Sequence, residues 1–111
     1  MSYKVIPLEN FKREAKRLIK KYPSLKNEIY QLDEQLSVNP LIGQPLGSNC
    51  FKIRLAIKSK GKGKSGGARV ISCVLVKELD VYLLSIYDKS EKESISDMDM
   101  KKLVKDIPAK L

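Results

Sequence analysis

A chain of 111 residues has room for one hydrophobic core, and 42% apolar with 32% charged residues suits a folded domain, not a disordered tail. There is no histidine, and the cysteines number only two, Cys50 and Cys73. That count argues against a structural zinc site and a histidine-activated nucleophile, so no metal or cofactor is expected. Taken in chain order, residues 2–7 predict a short strand ended by Pro7. From Leu8 to Tyr22, apolar residues at Phe11, Ala15, Leu18, Ile19 and Tyr22 mark an amphipathic helix with a basic outer face. Pro23 breaks it, and Ser24 is the expected N-cap of a second helix with Leu25, Ile29, Leu32 and Leu36 on one side. So short a break folds the two helices into a hairpin.

Residues 39–49 (NPLIGQPLGSN) read as an irregular connection. Residues 51–57 then alternate as a half-exposed strand: Phe51, Ile53, Leu55 and Ile57 on one face, Lys52, Arg54 and Ala56 on the other. Residues 58–67 (KSKGKGKSGG) form a flexible loop. Strands over 68–77 and 81–87 follow, joined by a turn at Glu78, Leu79 and Asp80. A last helix begins at Ser96 as N-cap and places Met100, Leu103, Val104 and Ile107 on one face. The expected fold is α+β: a single domain over residues 1–111, ordered β-α-α-β-β-β-α. Its sheet is mainly antiparallel, with a helical hairpin packed on one face and helices confined to that side. Residues 1–7 lack the pattern of a secretory signal and no apolar run reaches a membrane span. A cytoplasmic protein with two reduced thiols and no membrane partner is therefore expected, in preference to a disulfide.

Charge placement says more than its total. Net charge is +9, yet no acidic residue lies between Glu34 and Glu78, while Lys52, Arg54, Lys58, Lys60, Lys62, Lys64, Arg69 and Lys77 do. Concentrated basicity of this kind points to an anionic partner. If the strands flanking the loop pair across it, Arg54 and Arg69 share a sheet face and form a positive floor with the lysine loop as a mobile rim. Gly63, Lys64 and Ser65 mimic the end of a phosphate-binding P-loop, but position 58 is lysine where that motif needs glycine, and no helix follows. Without histidine, RNA cleavage would run on arginines that stabilise the charge developing at phosphorus and on a lysine or tyrosine that moves protons. Tyr82 reads as core. Tyr87, at a strand end, is open to hydrogen bonding or base stacking, and Asp88 reads as a turn residue or a partner of Lys89.

These residues carry a resemblance. The element order, the run KIRLAIKSKGKGKSGGARVI and the segment Ser85-Ile86-Tyr87-Asp88-Lys89-Ser90 resemble the RelE/ParE superfamily of type II toxin–antitoxin toxins, and within it a HigB-like branch. The resemblance implies a ribosome-dependent mRNA endonuclease that inhibits translation. Its partners would be the ribosome, mRNA and a cognate antitoxin with a helix-turn-helix domain (HigA-like). Lys52 and Arg54 match the first basic pair of that motif, Arg69 the arginine opening the next strand, and Lys89 the place of a further arginine after the last strand. Ile95 stands where a C-terminal tyrosine is common, which leaves Tyr87 as a substitute. Lys58, Lys60, Lys62 and Lys64 would take RNA phosphate contacts. A ParE-like gyrase inhibitor and a non-catalytic RNA- or ribosome-binding module are the alternatives.

Overall fold

In the computed structural model of the chain, residues 2–61 and 66–108 are described. Eight elements build the domain: β1 (Lys4–Pro7), α1 (Glu9–Lys21), α2 (Leu25–Val38), β2 (Gln44–Gly47), β3 (Cys50–Leu55), β4 (Ala68–Leu75), β5 (Asp80–Asp88) and α3 (Asp97–Val104). The strands form one sheet in the order β1-β5-β4-β3-β2. β1 runs parallel to β5 and all other pairs are antiparallel. The expected α+β architecture with a mainly antiparallel sheet is therefore present, with one strand more than expected.

That extra strand, β2, lies in the stretch read as an irregular connection. Its four residues are all exposed, so it carries no inside–outside alternation, and Pro45 is tolerated because β2 is the sheet edge. Ser48 and Asn49, both with positive φ (53° and 61°), make the two-residue turn that returns the chain into β3.

The hairpin packs on one side of the sheet. Phe11, Ala15 and Leu18 of α1 and Leu25, Leu32 and Leu36 of α2 meet Phe51, Ile53, Val70, Val74, Val81, Leu83 and Ile86. Each such side chain contributes about 1.5–3 kcal/mol on burial, which holds the helices down without help from their modest intrinsic propensity. Ser24 does not cap α2 with its side chain: its hydroxyl lies 3.1 Å from Glu28 and 2.8 Å from the Ser59 hydroxyl.

The helices are not confined to one side. α3 begins as expected, with Ser96 Oγ accepting from the Asp99 N–H at 3.1 Å, but it covers the opposite face. There Met100, Leu103, Val104 and Ile107 close over Ile71, Cys73, Tyr82 and Leu84. The amphipathic pattern fixes which side of α3 is buried but not which face of the sheet receives it. The cysteines correct a second expectation. Cys50 and Cys73 are directly opposed in the β3–β4 ladder, their Cα atoms 4.0 Å apart, and they are joined as a disulfide. Cross-strand register brings together two residues that look unrelated along the chain.

Candidate active site

The β3–β4–β5 register assembles one cationic rung. Arg54 on β3 lies directly across from Arg69 on β4, which lies across from Tyr87 on β5. Lys52, two residues before Arg54 on the same strand and so on the same face, lies across from Ile71. This is the face away from the helical hairpin, the side on which α3 packs. Gly67 lets the strands close here: a Cβ at that position would stand 2.1 Å from the Leu55 carbonyl oxygen.

Access along the rung is graded. Arg54 is exposed and Lys52 half-buried, whereas Arg69 is 3% and Tyr87 4% exposed. The expected open floor is thus an exposed arginine and a half-buried lysine beside a buried arginine and tyrosine on the neighbouring strands. Arg69 Nη1 donates to the Ala68 carbonyl at 3.1 Å. Burial and then the nearby Arg54 lower the affinity of the Arg69 guanidinium for its proton, with Tyr87 acting in the opposite sense. Tyr87 is pushed the other way: burial raises its pKa, and Arg69 and the Ile95 backbone only partly offset this. Its hydroxyl is buried with no hydrogen bond of ordinary geometry among the described residues, and the Lys92 ammonium stands 5.0 Å from its ring centre. The tyrosine is therefore a neutral hydroxyl, able to donate a proton and not poised to accept one.

The remaining candidates divide. Lys89 is half-buried just past β5, its ammonium 4.0 Å from Glu93 and its backbone N–H bonded to the Gly67 carbonyl at 3.0 Å. Lys58 is exposed, on a short turn whose first N–H is held by Glu28 Oε2 at 2.7 Å. Lys60 departs from the expected mobile rim. Its ammonium folds inward onto Asp88 and also reaches Ser90 Oγ at 3.3 Å. Lys62 and Lys64 lie outside the described residues. Tyr82 is core, as its place in the strand suggests.

No family profile matches the chain. Solved structures do. E. coli toxin RelE in the free state, a double arginine-to-alanine mutant, superposes with a TM-score of 0.65 at 19% identity, covering 96% of this chain and 99% of that one. The isolated E. coli RelE toxin in another crystal gives a TM-score of 0.51 at 17% identity, covering 92% and 96%. The fold is the RelE fold. At this identity the likeness carries the architecture and leaves the site residues to be argued from this chain itself.

Within that RelE fold, sequence reasoning missed Asp88. It is fully buried and accepts from the Tyr22 hydroxyl at 2.9 Å, from the Ser90 N–H at 2.9 Å, from the Ser90 hydroxyl at 2.8 Å and from Lys60. Burial alone would raise its pKa, but Lys60, Ser90 and Tyr22 together hold it well below the usual carboxylate range. The Asp-Lys-Ser run is a recognisable Asx-turn signal, whereas Lys60 and Tyr22 announce nothing along the chain.

Proposed function

We propose that this chain is the toxin of a type II toxin–antitoxin pair and that it cuts mRNA on the ribosome. The observation that carries the reading is the Arg54–Arg69–Tyr87 rung with Lys52 beside it on a RelE-fold sheet, reached from solvent through the exposed Arg54. A protein target has no need of cations aligned at strand spacing; a phosphate chain does. In the reaction the 2′-hydroxyl oxygen bonds to the adjacent phosphorus and the bond to the 5′-oxygen breaks, leaving a cyclic phosphate and a free 5′-hydroxyl. Arg54 and Lys52 meet the phosphate at the surface, and Arg69 adds positive charge from the neighbouring strand as negative charge builds on the equatorial oxygens. The 2′-hydroxyl proton passes to water. Tyr87, neutral, protonates the departing 5′-oxygen and is reprotonated from solvent. Lys58, Lys62 and Lys64 serve as RNA contacts, and Lys89 as a further cation at the strand end. The partner is an antitoxin of the helix-turn-helix, HigA-like kind, with acidic or apolar segments that complement the basic surface. The setting is the cytoplasm, where ribosomes are.

Arg54→Ala tests this directly, because an exposed residue is replaced and stability should change by no more than about 0.5 kcal/mol. Loss of one charge-stabilising group predicts cleavage slower by about 10² to 10³-fold, with growth arrest relieved at unchanged protein level. Primer extension on a cellular mRNA after brief induction reads the outcome. Undiminished breaks in the Arg54→Ala strain refute the assigned site. Intact message with damaged DNA under wild-type expression instead favours gyrase inhibition, and ribosome co-sedimentation without new RNA ends favours a binding module.

A further inference from the structure

Asp88 belongs to the rung Leu55–Ala68–Asp88, immediately behind Arg54–Arg69–Tyr87 along the strands and facing the other side of the sheet. Its carboxylate gathers donors from three separate parts of the chain. Tyr22 comes from the end of α1, Lys60 from the turn after β3, and Ser90 from just beyond β5. The Lys60 ammonium also stands 5.6 Å from the Tyr22 ring centre, which closes the cluster. A second buried carboxylate, Glu28, secures the start of the same turn through the Lys58 N–H. The Ser59 N–H, donating to Ser24 Oγ at 2.9 Å, holds its middle.

A carboxylate withdrawn from water is tolerated only when donors replace its hydration, and here the donors come from three segments that the carboxylate ties to one another. The result is a clamp on two things the front face needs. One is the turn Lys58–Lys60, which presents Lys58 outward. The other is the end of β5, where Tyr87 directly precedes Asp88. Lys60 is consumed in the process and is not offered to an anion.

We propose that Asp88 is a positioning residue for RNA cleavage: from behind the sheet it fixes the turn bearing Lys58 and the strand end bearing Tyr87, and it withholds Lys60 from RNA. The inference rests on the nuclease reading above and deepens it, since Asp88 itself touches no substrate atom.

The test is Asp88→Asn, compared with wild type in ribosome-programmed mRNA cleavage and in binding of a labelled single-stranded RNA oligonucleotide across a salt series. Circular dichroism sets a temperature at which both proteins are folded. The expected result is a kcat at least about tenfold lower while RNA affinity at low salt rises. The freed Lys60 should steepen the slope of log K against log salt by about 0.7, the increment for one more phosphate on a single strand. A general loosening of the fold would not tighten RNA binding as catalysis falls. If kcat is unchanged, or if kcat and affinity fall together with no change of slope, the proposal is overturned. Should Asp88→Asn not fold, Ser90→Ala and Lys60→Met each remove one side chain from the clamp. Lowered kcat with an unchanged salt slope in both then supports the proposal, and full activity in both overturns it. Absence of cleavage by wild type would instead overturn the nuclease reading, so the two failures remain distinguishable.

Discussion

On the hairpin side of the sheet, Val70, Val74, Val81, Leu83 and Ile86 meet Leu18, Leu25, Leu32 and Leu36 in a continuous apolar layer. On the far side the same strands divide: an apolar part under α3 that takes in Tyr87, and a cationic part formed by Lys52, Arg54 and Arg69. One face is covered by two helices of 13 and 14 residues, the other by a single helix of eight. The contrast assigns the work. Stability is concentrated where burial is complete. The arginine rung lies on the far side, with Arg54 exposed and Arg69 buried, and these two, which repel one another, are held together by strand pairing that they do not have to supply.

If that division is right, the largest loss of stability follows from damage to the hairpin side. Leu36→Ala, at a fully buried position, should cost about 2–5 kcal/mol. Its cleavage rate per folded molecule should stay at the wild-type value, as denaturant unfolding combined with active-site-normalised kinetics will show. A rate that falls with the stability would break the separation of the faces. The rung side should behave in the opposite way. Tyr87→Phe removes a hydroxyl that makes no hydrogen bond of ordinary geometry among the described residues, so stability should hold while kcat falls by about 10²-fold, as for loss of a general acid. Because burial raises the Tyr87 pKa, the phenol stays protonated from neutral pH through at least about pH 10, its ordinary value. The wild-type kcat profile should therefore show no limb assignable to this residue below that point. A fall between pH 7 and 9 that disappears in Tyr87→Phe would show the phenol losing its proton there and would overturn the raised pKa, whereas an undiminished kcat in Tyr87→Phe would sink the acid assignment.

The smallest effect sharpens the comparison from within the hairpin side. Asp33 of α2 has one carboxylate oxygen buried without a hydrogen-bond partner, and burial raises its pKa. A raised carboxylate pKa means that the ionised form weakens the fold at neutral pH and that protonation relieves it. Asp33→Asn should therefore gain stability at pH 7, by no more than about 1 kcal/mol for a half-buried group, and the gain should shrink as pH falls toward the acid range. Paired denaturant curves at pH 7 and pH 4 measure both signs. A destabilised Asp33→Asn at pH 7 would show that the carboxylate has a partner after all.

Most of the fold was legible because most of it is written in periodicity. Phe11, Ala15 and Leu18, and then Leu25, Leu32 and Leu36, announce their helices by spacing alone, and the alternation from Phe51 to Leu55 announces β3 together with the side on which Arg54 lies. Pairing Arg54 with Arg69 needed only that the flanking strands be neighbours. What escaped depends on contacts between distant segments. β2 has no buried face to betray it, the Cys50–Cys73 bond exists only through the β3–β4 register, and the choice of face for α3 is a tertiary decision. The lysine loop misled for the same reason: a run of lysines looks uniformly solvated, yet Lys60 turns inward because Asp88, 28 positions later, is waiting behind the sheet. The burial of Arg69 and Tyr87 also belongs to packing, since alternation places them on a face without saying what lies over it.

The parallel pairing of β1 with β5 has a consequence for synthesis. Lys4 through Pro7 find their ladder partners at Asp80 through Leu83, so the earlier segment must wait for one made some 75 residues later. At the usual rate of about 5–20 residues per second, that is a delay of several seconds in which the hairpin has no sheet to lie on. Tyr87 arrives later still. A nascent copy therefore cannot assemble its arginine–tyrosine rung until β5 has been made, well after its helical hairpin, so the rung waits on the last strand of the sheet.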